Sequence, residues 1–129
     1  MSVRIVRLGT RRAAGEGTRI GTVRRPPRGV ARKDFARLDW YDVWFPLLAP
    51  SAATLKAGLV AETDRQWAAF ARKYRMEMRQ PAASQALEML AALSRHTNFS
   101  VGCYCENESR CHRSLLRTLL AERGATIEP

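Results

Sequence analysis

Three cysteines, a histidine and several arginines stand close together near the C-terminal end of the chain. The segment "VGCYCENESRCHRSLLRTLLAERG", residues 101–124, holds every cysteine of the 129-residue sequence. Cysteine and histidine bind zinc, and a thiolate is also a strong nucleophile. Arginine offers a planar fork that fits phosphate and carboxylate groups. The segment can therefore hold a metal ion, carry a reactive thiol or bind an anion.

The metal hypothesis starts from two cysteines that alternate along a predicted strand. Cys103 and Cys105 would point to the same face of that strand, and Cys111 and His112 would complete a Cys3His set of the zinc type. Structural zinc sites usually space paired cysteines by two to four residues, however, and adjacent helical residues such as Cys111 and His112 point about 100° apart. Cys103 also suits a small buried position. From the sequence we therefore predict no metal and no cofactor.

The anion hypothesis depends on the start of the last helix. If Asn107 or Ser109 caps that helix, Arg110 and Arg113 lie in its first turn, where each positive charge costs ~0.3–1 kcal/mol against the helix dipole. An anion bound to the free N–H groups would reverse the sign of this cost. The alternative is that both arginines pair with the two glutamates of the same segment, in which case nothing binds.

The thiol hypothesis depends on the same turn. A cysteine at a helix N-terminus beside basic side chains has a lowered pKa, and Cys105 and Cys111 both fit this description. Counted from Cys105, the phosphatase pattern of a cysteine followed by five residues and an arginine is not matched, because Cys111 occupies the position where the arginine would stand. Glu106 and His112 are the nearby groups that can transfer a proton. The candidate catalytic residues are therefore Glu106, Cys111 and His112.

The charge of the chain is strongly positive and unevenly distributed. The formal net charge is +10, and residues 1–40 hold eleven basic side chains against three acidic ones, so +8 lies there. A basic surface attracts phosphate-bearing partners, either small molecules or nucleic acid. A codon usage that favours arginine, with nineteen Arg against three Lys, explains the same excess without a ligand.

The apolar segments, the N-terminal pattern and the number of cysteines together predict where the protein is located. No apolar run approaches the roughly 20 residues that span a bilayer. The N-terminal "MSVRIVRLGT" alternates apolar and basic residues like a strand, unlike a signal peptide. The odd number of cysteines argues against a disulfide framework. We expect a cytoplasmic protein without a membrane partner.

The secondary structure alternates between strands and helices. Strands are predicted over 2–9, 18–25 and 98–105, and the aromatic segment 40–51 is predicted to be buried and largely irregular. Helices are predicted to start after Ser51, after Thr63 or Asp64, and at Pro81, and the last one to end at Gly124. "ATIE" (125–128) could add an edge strand.

This order of elements predicts an α/β fold. We expect a single layered domain over residues 1–129, with a small, mostly parallel sheet flanked by helices. In such sheets ligands bind outside the carboxyl ends of the strands. The rule places the loops 24–30 and 105–113 on one edge of the sheet.

Four sequence blocks together resemble a known family. "RRPPRGV" (24–30), "YDVWFPLLAPS" (41–51), "W..F..KY..EM" (67–78) and "CYCENESRCHRSLL" (103–116) are similar to the domain of unknown function 488 family, in the branch of small bacterial YeaO-like proteins. The resemblance runs from about residue 3 to residue 123. It implies a small bacterial α/β domain and assigns no reaction.

The family motifs can be placed residue by residue. Arg25, Arg28 and Gly29 match a basic proline–glycine turn. The acidic residue followed by Cys-His-Arg is matched by Glu106, Cys111, His112 and Arg113. One feature departs from the family, because many relatives carry a single cysteine before the acidic residue, whereas this chain has two. The helix-spaced aromatics Trp67, Phe70 and Tyr74 are expected in the core.

These observations lead to one prediction and two alternatives. We expect an enzyme or enzyme-like domain that acts on a phosphate-bearing substrate, a nucleotide or nucleic acid. Arg25, Arg28 and Arg113 would bind the anion, and Glu106 or His112 would transfer a proton. Cys111 would order the turn or serve as nucleophile. The alternatives are a non-catalytic nucleic-acid-binding module that uses the basic N-terminal region, and a scaffold stabilised by zinc.

Overall fold

The sheet of this protein is small, and all its strands run in the same direction. The computed structural model describes residues 1–129 and contains four strands in the spatial order β1-β4-β2-β3. All three pairings between neighbouring strands are parallel, as the sequence predicts. The strands are β1 (Val3–Arg7), β2 (Thr18–Gly21), β3 (Val43–Trp44) and β4 (Phe99–Cys103).

Four α-helices accompany the sheet, and their starts follow the predicted capping residues. The Ser51 hydroxyl accepts the Thr54 N–H at 3.3 Å, and Thr63 forms a reciprocal capping box with Gln66. No helix is long and apolar enough to cross a membrane. The helices are α1 (Ala52–Leu59), α2 (Asp64–Met78), α3 (Pro81–Leu93) and α4 (His112–Glu122), and short 3-10 turns cover Arg32–Asp34, Pro46–Leu48 and Glu108–Arg110.

Two predicted segments differ from the structure around the second strand. β2 ends at Gly21, before the predicted end at residue 25, and the chain then turns towards the prolines. Gly21 lies so close to the Tyr41 ring that a Cβ there would be 2.4 Å from it. The segment 40–51 is only partly buried. It contains the edge strand β3, where Val43 and Trp44 are 46% and 44% exposed, because an outermost strand has one side without a neighbour.

The C-terminal part also departs from the prediction in two places. α4 begins after Cys111, while Asn107 caps the preceding 3-10 turn by accepting the Ser109 N–H at 3.1 Å. Arg110 therefore lies before α4 and not in its first turn. The predicted last strand is reduced to a single parallel bridge between Val3 and Ile127. Gly124 ends the helix with a φ of 80°, as predicted.

The main core lies between the sheet and the helices. Phe70 and Tyr74 of α2 are buried there, as the helical spacing predicts, and Trp67 packs against them while half-buried. Burial of each large apolar side chain contributes about 1.5–3 kcal/mol. The other members of this cluster come from β1, β4, α2, α3, α4 and the 3-10 turn before α1: Val3, Leu48, Met78, Ala83, Ala86, Leu87, Leu90, Phe99, Val101, Leu116, Leu119 and Leu120.

A fully buried ion pair joins β2 to its preceding loop. The Arg19 guanidinium donates to both oxygens of Glu16, at 2.7 and 3.0 Å, and the Ser100 hydroxyl donates to the same carboxylate at 2.6 Å. Burial alone raises the pKa of Glu16, but hydrogen bonds from Arg19, Ser100 and the Ala13 N–H outweigh it and hold the pKa at about 2.

This ion pair makes folding stability depend on acidity. Because the pKa of Glu16 is lower in the folded chain, its contribution to stability is complete above the ordinary pKa of 4.5 and is lost as pH falls towards about 2. The contribution is on the order of 3 kcal/mol. We expect Glu16→Gln to lower the free energy of unfolding at neutral pH by about 3–5 kcal/mol, because Arg19 is left buried without its counter-ion.

Urea titration at several pH values measures this effect. Glu122→Gln is the control, because Glu122 pairs with Arg75 on the surface, where such pairs contribute about 0–1 kcal/mol. Equal stability losses in the two variants would contradict the assignment.

Candidate functional site

The loops that follow β2 and β4 meet at the carboxyl edge of the sheet. His112 Nε2 lies 2.8 Å from the Thr22 carbonyl oxygen, and the Tyr104 hydroxyl donates to the Arg25 carbonyl oxygen at 2.9 Å. These contacts connect the basic proline–glycine turn to the Cys-His-Arg segment. The two loops that the sequence places on one edge therefore lie side by side.

The hydrogen bonds of His112 determine its tautomer. A carbonyl oxygen only accepts hydrogen bonds, so Nε2 must carry a proton to donate to Thr22. Nδ1 of the neutral ring is then unprotonated, and it faces Cys111 Sγ at 3.8 Å. The ring is 3% exposed and packs against Tyr74 with centroids 5.5 Å apart. His112 therefore presents a lone pair to the thiols from a fixed position.

The three cysteines form one cluster with this histidine. Cys103 Sγ and Cys105 Sγ are 3.9 Å apart, on the same face of the strand and its extension. One donor atom from each of Cys103, Cys111 and His112 lies within 4.8 Å of the others, and all three residues are buried. No disulfide links the cysteines. The cluster brings four side chains with metal-binding and nucleophilic chemistry to one point.

The thiols of the cluster differ in acidity. Hydrogen bonds from Cys103 and then Cys105 lower the pKa of Cys111 and outweigh the opposing effect of burial. The same hydrogen bonds stabilise the protonated form of Cys103 and raise its pKa. Cys111 also occupies the N-cap of α4, where the helix dipole favours a thiolate. The cluster therefore favours a thiolate at Cys111.

Arg113 is a buried cation without an acidic partner. Arg113 is only 4% exposed, and it forms no ion pair in the structure. Nη2 donates to the Cys105 carbonyl oxygen, while Nε has no hydrogen-bond acceptor in the protein. A buried guanidinium requires a negative charge nearby. The thiol cluster is the adjacent group that can supply it.

The glutamates of this segment pair with other arginines. Glu108 accepts from Arg117 at 2.7 Å, so it is not available to Arg113. Glu106 lies 3.8 Å from Arg7, and its side chain is 83% exposed. Arg110 pairs with Asp64 at the start of α2. The alternative in which these glutamates neutralise Arg110 and Arg113 is therefore wrong for both arginines.

Two concavities border the cluster. One has a volume of about 180 Å³, and His112 and Arg25 both line it. The other has a volume of about 400 Å³, is lined by Arg7 and Arg28, and shares Tyr104 with the first. The remaining lining residues of the smaller concavity are Val23, Arg24, Pro50, Leu55, Leu59, Cys103 and Cys105.

A third concavity extends this surface towards β3. It has a volume of about 500 Å³ and is lined by Arg32, Lys33 and Trp44, among others. Tyr41 also lines it, and its buried hydroxyl has no hydrogen-bond partner. The Asp42 carboxylate at this surface accepts two hydrogen bonds from Arg12, at 2.7 and 3.0 Å, so it is already neutralised.

The structure brings some of the predicted site residues together and separates others. Cys111, His112 and Arg113 are all buried, and of these three only His112 lines the concavity that Arg25 also lines. Arg28 lines the neighbouring concavity. Glu106 lines neither, but its partner Arg7 lines the second one, so Glu106 lies near the rim.

Sequence reasoning missed two contributors to this site. Tyr104 lies between the two alternating cysteines, and its ring packs edge-on against Trp40 at 5.8 Å to form a wall. In an extended segment, Tyr104 points to the face opposite Cys103 and Cys105, and this alternation could have identified it as a residue of the neighbouring surface. Thr22 acts through its backbone carbonyl, which no side-chain pattern reveals.

The comparison with protein families identifies the class of this chain. A family model described as "Active DUF488-N3 subclade" matches residues 3–124, nearly the whole sequence. The chain therefore belongs to the DUF488 family, as its four sequence blocks predict. No curated protein and no solved structure matches it. The YeaO-like branch is not tested by this match and stays a prediction.

The tautomer of His112 can be checked directly. We expect two-bond ¹H–¹⁵N correlation spectra to show His112 protonated at Nε2, because the Thr22 carbonyl requires a donor there. His96, an exposed histidine without this contact, serves as the reference for the assignment. An Nδ1-protonated His112 would rule out the bond between the two loops.

Proposed function

We propose that this chain is an enzyme or enzyme-like domain that acts on a phosphate-bearing substrate, a nucleotide or nucleic acid. The substrate would bind at the carboxyl edge of the sheet, across the concavities of about 180 and 400 Å³. The description of the matching family model as an active subclade supports a catalytic role. We further propose a cytoplasmic protein, since its three cysteines are free thiols.

The observation that carries this proposal is the set of unpaired cations around the concavities. Arg25 and Arg28 are exposed and form no ion pair, although they flank the two rigid prolines of one turn. Arg32 and Lys33 are unpaired in the same way beside the third concavity. A ligand with phosphate groups would neutralise these side chains through charge-assisted hydrogen bonds.

The internal ion pairs of the N-terminal region sharpen this argument. Five of its eleven basic side chains pair with carboxylates of the same chain: Arg4, Arg7, Arg12, Arg19 and Arg37. A sixth, Arg24, donates to the carbonyl oxygens of Pro46, Ala49 and Pro50. Of the five basic side chains that remain, Arg11 lines a separate concavity, and the other four line the three concavities described above: Arg25, Arg28, Arg32 and Lys33.

We assign the roles of the site residues from how exposed each side chain is to solvent. Glu106 is exposed near the rim, so we assign proton transfer to it. Cys111 and His112 are 2% and 3% exposed, and both nitrogens of His112 are engaged inside the protein. We assign to these two residues the ordering of the turn that carries Glu106 and Arg113. Arg25 and Arg28 would hold the phosphate group.

A non-catalytic nucleic-acid-binding module remains the second proposal. The unpaired cations and the exposed aromatic ring of Trp44 lie on one surface, and such a combination suits stacked bases and a phosphate backbone. This module would bind oligonucleotides with a steep dependence on salt and would convert nothing. Turnover separates the two proposals.

Removing the two rim arginines tests the phosphate-binding surface. We expect the double variant Arg25→Gln/Arg28→Gln to lose at least about tenfold in affinity for a nucleoside triphosphate or a labelled single-stranded oligonucleotide, because each charge-assisted hydrogen bond contributes about 1.5–3 kcal/mol. Both side chains are exposed, so the fold should persist. Calorimetry and fluorescence anisotropy measure the two affinities.

The matched control changes the same charge elsewhere. Arg65→Gln/Arg72→Gln removes two exposed and unpaired arginines from α2. We expect this control to retain wild-type affinity. Equal losses in the two double variants would reduce the binding to general electrostatic attraction and contradict a site at the carboxyl edge.

Glu106→Gln tests proton transfer separately from binding. We expect turnover to fall about 10²–10⁴-fold, because general acid–base catalysis contributes that much, while affinity stays within about twofold. The assay follows products by chromatography after incubation of a nucleotide and oligonucleotide panel with the wild-type chain. Glu108→Gln is the control, since Glu108 pairs with Arg117 away from the rim. Unchanged turnover in Glu106→Gln would remove Glu106 from the reaction.

A further inference from the structure

We infer that Cys103, Cys105, Cys111 and His112 form a zinc site that anchors the loop between β4 and α4. This inference goes beyond the proposed function and does not depend on it. Thiolate and imidazole donors in a set of four are typical of structural zinc sites. The buried cluster brings these side chains together without any contribution from the exposed rim.

The distances within the cluster fit a tetrahedral metal. With Zn–S bonds of about 2.3 Å and Zn–N bonds of about 2.0–2.1 Å, neighbouring donors lie about 3.6–3.8 Å apart. Cys103 Sγ and Cys105 Sγ are separated by 3.9 Å, and Cys111 Sγ and His112 Nδ1 by 3.8 Å. The other separations among the donors of Cys103, Cys111 and His112 are at most 4.8 Å, so side-chain shifts of up to about 1 Å would bring these donors to tetrahedral distances.

The second nitrogen of the histidine supports the same conclusion. A histidine that binds a metal usually donates its other ring N–H to a carboxylate or backbone carbonyl, which fixes the tautomer and the ring orientation. His112 makes this bond to Thr22 at 2.8 Å, and its Nδ1 lone pair points to the thiols. The imidazole is already oriented as a ligand.

The structure contradicts the sequence-based argument that Cys111 and His112, as neighbours in the chain, cannot bind the same metal ion. That argument required Cys111 and His112 to be consecutive helical residues pointing about 100° apart. Cys111 instead has extended backbone angles, φ −131° and ψ 151°, and only His112 belongs to α4. Because the chain changes from extended to helical between them, both side chains reach the same point.

Charge balance supports an anionic complex at this position. Three thiolates and one Zn²⁺ carry a net charge of −1, and this charge would match the buried Arg113 guanidinium. Arg113 has no carboxylate partner, and its Nε lacks an acceptor within the protein. Hydrogen bonds from surrounding groups to metal-bound ligands are a regular part of such sites.

The position of the ligands indicates what the metal would do. Two ligands belong to the end of β4 and its extension, and two to the start of α4, so the metal would close the loop 104–111 at both ends. Four protein ligands leave no open coordination position, which is typical of structural zinc. The metal would fix the loop that carries Glu106 without binding substrate.

Metal analysis of the purified full chain tests this inference. We expect zinc in an amount equimolar to the protein when no chelator is used, and protection of all three thiols from a thiol reagent until zinc is removed. Replacement by Co²⁺ should give the intense visible bands of a tetrahedral site and thiolate-to-cobalt charge-transfer bands. Native protein without zinc, with freely reacting thiols and no thermal stabilisation by added Zn²⁺, would overturn the inference.

A pair of histidine variants provides the matched comparison. We expect His112→Ala to lose zinc and His96→Ala to retain it, because His96 is the other histidine and is exposed. If His112→Ala does not fold, the wild-type zinc content and Co²⁺ spectrum decide the question. A native mass two hydrogens lower, from a disulfide, would also overturn it. Phosphate binding by Arg25 and Arg28 is measured independently, so either proposal can fail alone.

Discussion

One hydrogen bond, from His112 Nε2 to the Thr22 carbonyl oxygen, joins the two halves of the candidate site. It links the first residue of α4 to the end of β2 across strand-end loops that are ninety positions apart in sequence. Because it fixes the ring, it also aims Nδ1 at the cysteines. The tautomer of His112 and the position of its Nδ1 beside the thiols follow from this donor and acceptor, while the hydrogen bond from Tyr104 to the Arg25 carbonyl oxygen is a second link between the loops.

Burial divides the site into two layers with different chemistry. The lower layer contains the thiols of Cys103 and Cys111, the imidazole of His112 and the Arg113 guanidinium, and all four residues are buried. The upper layer contains exposed arginines, Tyr104 and the carboxylate of Glu106. Groups in the lower layer can hold a metal and set the loop in place, whereas groups in the upper layer can reach a ligand from solution. The proposed catalysis and the proposed metal site therefore involve different residues of one loop.

The net charge of the chain indicates where a ligand can bind only after the cations that are held in internal ion pairs are left out. Arg19 is fully buried against Glu16, and Arg12 is held by Asp42 with two hydrogen bonds. These cations stabilise the fold and attract no partner. The unpaired Arg25 and Arg28 lie where a parallel sheet presents its strand ends, which is where ligands bind in such folds. Position, more than total charge, therefore favours a phosphate-bearing ligand.

The sequence by itself determined the α/β class, the helix starts at Ser51, Thr63 and Pro81, and the family. Local patterns encode these features, because caps, helix-breaking prolines and apolar periodicity act over a few residues. Only the tertiary structure decided that Cys111 caps α4, that Arg113 has no carboxylate partner, and that two loops meet through a backbone carbonyl. These features depend on strand order and on which glutamate reaches which arginine, and no short-range spacing specifies them.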